Sequence, residues 1–120
     1  MATDRTTEKL ERERAVLEAD YREALIAALR ECASGRWGLL KQSSRLLPKS
    51  LEQRMVPPSV LRLEAVGEEL ALTRARLGFV EPFVLMASFA TLRREAIGNQ
   101  LGEPRLADAF LKRLQKEQQA

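Results

Sequence analysis

Arg36, Lys41, Arg45, Lys49, Arg54 and Arg62 crowd into residues 36–62, a stretch with a single acid, Glu52. The stretch carries +5, residues 1–35 carry −2, and residues 63–120 are balanced, so the whole basic excess of this +3 chain sits in one segment. A concentrated positive field attracts phosphates, an anionic ligand or an acidic protein surface. Trp37, beside Arg36, offers a flat face on which a nucleic-acid base or a ligand can stack. The candidate ligand- or partner-binding residues are therefore Arg36, Trp37, Lys41, Arg45, Lys49 and Arg54. A plainer reading weighs more. Trp37 closes one end of a helical fold, and the cations are solvated or neutralise carboxylates of the preceding helix. Five excess charges is also a small number for a nucleic-acid-binding surface.

Catalytic machinery of the common kinds is missing from the sequence. The chain has no histidine and one cysteine, Cys32. That excludes Ser-His-Asp and Cys-His nucleophiles and every histidine-containing metal site. No oxygen-ligand spacing of the EF-hand kind is visible, so no metal and no cofactor are expected. Glu68 and Glu69 are neighbours and project to different parts of a helix surface, which does not make a catalytic carboxylate pair. Gly35-Arg36-Trp37-Gly38 has the G-x-x-G form of a KH-domain loop, but the sheet such a domain needs has no counterpart here. Gly38–Ser43 has the wrong spacing for a phosphate loop and follows a helix instead of a strand. A helix-turn-helix across Ser50–Leu63 would have to turn at Pro57-Pro58, which suits it badly. The expectation is a protein that is not an enzyme.

The elements that would position these residues read as helices throughout. Apolar residues make up 45% of the 120-residue chain, aromatics only 5% and charged residues 31%, a palette of leucine and alanine suited to helices instead of sheets. The first helix is expected over Thr7–Ser34. Leu10, Leu17, Tyr21, Leu25, Ala28 and Cys32 form its stripe, with Val16, Ala24 and Leu29 widening it. Glu8 with Arg12, Lys9 with Glu13, and Glu18 with Arg22 are opposite charges four residues apart. Gly35 supplies the stop. Cys32 falls on the stripe and reads as a small buried residue.

Ser50 and Gln53 have the spacing of a capping box for one short helix in the connector, ended by Pro57 and Pro58. A second long helix follows over Pro58–Leu77, with Leu63, Val66, Leu70, Thr73 and Leu77 as its stripe and Gly78 as its stop. Gly67 borders that stripe. A helical glycine costs about 1 kcal/mol against alanine, which close approach of a neighbouring helix would offset. The third helix is expected from Glu81-Pro82 to Glu95 and, being apolar on most sides, to be the most buried. Gly98–Gly102 reads as a loop. The fourth helix starts the same way at Glu103-Pro104 and runs to Glu117, with Leu106, Phe110, Leu111 and Leu114 inward.

The fold class is thus all-α: a single four-helix bundle-like domain over residues 1–120, with an extra short helix in the connector and frayed ends at 1–6 and 116–120. Met1–Glu13 is polar, and the longest apolar run, Pro82–Ala87 extended to Leu92, is too short to span a bilayer. With one cysteine there is no intrachain disulfide, so a cytoplasmic protein without membrane contact is expected.

Three stretches, Ala27–Leu40 with its GRWGL motif, Glu69–Gly78 and Gly102–Leu111, resemble small all-helical bacterial proteins. The resemblance covers under a third of the chain. It implies a bacterial, cytosolic origin, and it brings no function and no site residue with it.

The first helix outruns the others by about two turns, and Thr7–Arg14 carries only Leu10 as a large apolar residue. A helix of that composition is marginal alone. The leading expectation is a protein–protein interaction or scaffold module that forms a homodimer through Leu10, Leu17 and Tyr21 and dissociates when residues 1–14 are removed. The alternative is a small nucleic-acid-associated or regulatory protein using the basic segment.

Overall fold

A computed structural model describes residues 5–36, 40, 56–97 and 102–119. The described residues are all-α, with four helices and no strand among them: α1 (Arg5–Ala33), α2 (Pro58–Arg76), α3 (Val84–Ile97) and α4 (Glu103–Gln119). The expected short helix at Ser50–Val56 lies outside the described residues except for Val56. Helix α1 begins at Arg5 and α4 continues to Gln119, so helical backbone reaches further into both expected frayed ends.

Both glycine stops form the same device. Gly35 has φ +82 and Gly78 φ +86. At the end of α1, Gly35 N–H donates to Cys32 and Arg36 N–H to Glu31. At the end of α2, Gly78 N–H donates to Ala75 and Phe79 N–H to Arg74. These paired bonds satisfy carbonyls that the last helical turn leaves open, and they need a left-handed residue at the turn.

Helix α3 departs from the expected start at Pro82. A helix beginning there would use the Glu81 carbonyl for its first bond. Arg74 instead donates to that carbonyl at 3.2 Å, and the first helical bond passes from Ala87 N–H to Phe83. Helix α4 begins as expected at Glu103, with Gly102 accepting from Arg105 and Leu106.

Helix α1 is the hub. It packs along α2 and along α4, while α3 touches α4 more sparingly. Both partners run antiparallel to it. Glu18 meets Arg74 and Asp20 meets Arg62 on α2, and Arg22 reaches the Leu114 carbonyl while Cys32 approaches that of Glu103 on α4. Ala24, Leu25, Ala28 and Leu29 are completely buried. The two alanines let both neighbours come close, and the two leucines fill the space between. Burying one such leucine contributes roughly 1.5–3 kcal/mol.

The expectation that α3 would be the most buried helix is corrected. It turns one face inward, through Leu85, Phe89, Leu92 and Ala96, and leaves Val84 68% and Ile97 74% exposed. Apolar composition on most sides did not win because α3 has neighbours on one side only. The close approach expected at Gly67 is present: a Cβ there would lie 3.4 Å from the Tyr21 ring.

Candidate functional site

Of the basic residues singled out, Arg36 is described and exposed. It bonds Ser34 at 2.9 Å and lies 3.3 Å from Glu31. Arg62, from the same basic segment, sits 3.7 Å from Asp20 and 4.0 Å from Glu23. Both cations thus face carboxylates of α1. Trp37, Lys41, Arg45, Lys49 and Arg54 lie outside the described residues.

The three residues read as an oligomer interface separate. Leu10 is half-buried, and Leu17 is half-buried against the core. Tyr21 is 4% exposed and packs edge-to-face on Phe83, with ring centroids 6.1 Å apart. Its ring is therefore occupied inside the chain, because it lies level with Gly67 where α2 comes closest. Burial pushes its hydroxyl up to about 12, opposed by the positive charge of Arg93. It is the sole tyrosine, so an ultraviolet titration of the phenol reads it alone. The midpoint is expected near 12, with stability fully present below about pH 10 and lost as pH rises through the folded value. A midpoint near 10 would show that Tyr21 is not in the core.

Among the described residues, the first turns of α1 run past their neighbours. The last turn of α2 and the turn after it reach Glu18 and Arg14, through Arg74 and Phe79. The last α4 contact of this kind joins Leu114 to Arg22. Beyond these points Arg5, Thr6, Thr7, Glu8 and Lys9 are all exposed. None of the expected pairs Glu8–Arg12, Lys9–Glu13 and Glu18–Arg22 forms. Glu18 is taken by Arg14 at 3.0 Å and by Arg74 at 2.6 Å, and Arg22 by a backbone carbonyl at 2.9 Å.

A lock fixes the root of this arm. Arg74 stacks on Phe79 at 4.5 Å and on Phe83 at 5.7 Å while bonding Glu18, and Arg14 lies over the same Phe79 ring at 5.3 Å. Hydrogen bonds to Glu11 and then Glu18 raise the proton affinity of Arg14. The Glu18–Arg74 bond and the Arg14 guanidinium over Phe79 thus tie α1 to the end of α2 and the turn after it.

Beside the lock, Val16 and Leu17 of α1 and Leu72 and Thr73 of α2 line an open depression of about 500 Å³. Its rim carries Arg12 and Arg76 with Glu13 and Glu69. Val16 is 59% and Leu72 53% exposed. The sequence pattern makes Val16 a member of the core stripe. It lies instead on the outer side of α1, one residue short of Leu17, and this is a correction. Leu72 had no sequence signal of its own, since it falls between the core positions Leu70 and Thr73.

No described helix is long and apolar enough to cross a membrane, and no group of acids and cysteine among the described residues could hold a metal ion. Comparison with known protein families, curated proteins and solved structures finds no match.

Proposed function

We propose that the chain acts by binding and not by catalysis: a cytoplasmic interaction or scaffold module, bundle-like in its four-helix packing, that forms a homodimer through the first half of α1. The observation that carries this reading is the arm itself. Five consecutive residues at the start of α1 are exposed, while the root of the arm is held rigidly by Glu18 and its two arginines. A helix start with five consecutive exposed residues is marginal in water and gains from a second surface.

The depression at its root fits self-association. An isologous contact requires a self-complementary patch, and this one has an apolar centre with two cations and two anions around it. The reading of the basic segment as a phosphate-binding surface gains nothing from Arg36 and Arg62, which are matched by α1 carboxylates.

Removing residues 1–13, which spares Arg14 and the lock, is expected to turn a dimer into a monomer in light scattering. Val16→Asp is expected to do the same, since it places a charge in the apolar centre. A dimer that survives both changes would remove the reading.

A further inference from the structure

We infer that the outer side of α1 is a self-complementary strip, on which a second copy of the chain lays its own α1 antiparallel, with the twofold axis at Val16. This rests on the self-association reading and names the residues that meet. At 3.6 residues per turn, Lys9, Arg12, Val16, Asp20 and Glu23 fall within about 80° of one another around the helix, on the side away from the buried Leu25 and Leu29. Val16, exposed and apolar, is the centre. Arg12 precedes it by four residues and Asp20 follows it by four. Lys9 precedes it by seven and Glu23 follows it by seven. The sign of the charge thus reverses at equal distances on either side of one apolar residue.

That symmetry argues the occupant. Turned end for end, the strip is complementary to itself: Val16 meets Val16, Arg12 meets Asp20 and Lys9 meets Glu23, each charged pair occurring twice. Steps of four and seven residues return to the same helix face, so one antiparallel crossing makes all the pairs together. An isologous interface requires such self-complementarity. A partner of different sequence requires no such inversion.

Both halves of the strip have charge to spare. Arg5, Lys9 and Arg12 are exposed and make no ion pair among the described residues. Glu8 and Glu13 lie at the two edges and leave the cations between them. Asp20 and Glu23 share one guanidinium, that of Arg62, at 3.7 and 4.0 Å. The two acids therefore keep a net negative charge that Lys9 and Arg12 of a second copy meet. Helix α2 extends the pattern sideways. It runs antiparallel to α1, so on the rim of the adjoining depression Arg76 lies toward Arg12 and Glu69 toward Asp20. The same rotation sets Glu69 of each copy toward Arg76 of the other, with the exposed Leu72 beside Val16 at the centre.

The test reverses charges across the contact. One variant carries Lys9→Glu and Arg12→Glu, which makes the strip acidic. The other carries Asp20→Lys and Glu23→Lys, which makes it basic. In either variant alone, every charged pair across the twofold repels. In the mixed dimer every pair attracts. By sedimentation, each variant alone is expected to dimerise at least about tenfold more weakly than the wild-type chain. The equimolar mixture is expected to regain wild-type affinity within a few-fold. Circular dichroism checks that each variant keeps its helices. If the basic variant does not, because its lysines approach Arg62, Val16→Cys decides without any change of charge. A twofold axis at residue 16 brings two thiols into disulfide reach, so mild oxidation is expected to link the dimer covalently, while the wild-type chain, with only its buried Cys32, stays unlinked. Variants that dimerise like the wild type, folded variants that mixing does not rescue, or a Val16→Cys dimer that stays unlinked would each overturn the strip and leave self-association standing. A wild-type chain that is monomeric overturns both readings together.

Discussion

Leu29→Ala lowers the stability of the chain by about 3–4 kcal/mol, enough to threaten a domain of this size. Leu29 is completely buried in α1, on the helix that both α2 and α4 use as their support. Truncation removes the transfer free energy of the deleted methyl groups and leaves a cavity among side chains that cannot close on it. Relaxation is limited because Ala28 and Cys32 on either side are already small and buried. A chain organised instead around α3 would answer differently. Truncation of Leu92, 8% exposed at the inner face of α3, would then cost as much or more. Chemical denaturation of the two alanine variants decides: the larger loss is expected at Leu29, and the reverse order would contradict α1 as the hub.

Glu18→Ala is expected to cost about 2–3 kcal/mol, more than an ordinary surface ion pair. Glu18 and Arg74 have side chains only 20% and 13% exposed, and Arg14 shares the same carboxylate. Without Glu18, Arg14 keeps Glu11 at 2.7 Å, whereas Arg74 stays in its half-buried place beside two rings without its carboxylate. The penalty comes from the stranded cation, not from the lost bond alone. Replacing Glu18 by Leu together with Arg74 by Met is therefore expected to cost less than Glu18→Ala by itself, since no partly buried charge is left unanswered. Thermal or urea unfolding measures this. Additive losses in the double variant would mean that the lock is three independent surface contacts.

How much of this was legible in the sequence depends on how local the signal was. The helices were, because their stops are local: Gly35 and Gly78 close α1 and α2 with the expected left-handed turns, and Glu103 opens α4. The close pass of α1 at Gly67 was legible because a glycine inside a strong helix needs a reason. The start of α3 was not legible. It depends on Arg74 taking the Glu81 carbonyl across a turn, and no spacing rule reports that. The inner and outer sides of α1 were misjudged at Val16 for a different reason. At 3.6 residues per turn Val16 falls about 150° from the mean direction of the buried Tyr21, Ala24, Leu25, Ala28, Leu29 and Cys32, so a stripe widened by composition alone overreaches onto the outer side.

The projection of α1 was legible as a length and not as a surface. The excess of α1 over its partners could be read from the helix boundaries. Tyr21, in contrast, was placed on the interface because it continues the stripe of Leu10 and Leu17, whereas that stripe turns from arm to core between Leu10 and Tyr21. Charge spacing gave Glu18 to Arg22. Geometry gave it to Arg14 and Arg74, because a guanidinium held under two aromatic rings is already in place and loses less freedom on pairing.

The most direct test of the central claim is the molar mass of the unmodified chain in solution across a concentration series. The chain mass is 13.5 kDa. On the proposed reading, in which a second copy covers the α1 arm, light scattering is expected to show a mass climbing to twice that value as concentration rises. A mass that stays at 13.5 kDa up to high micromolar concentration would contradict the account.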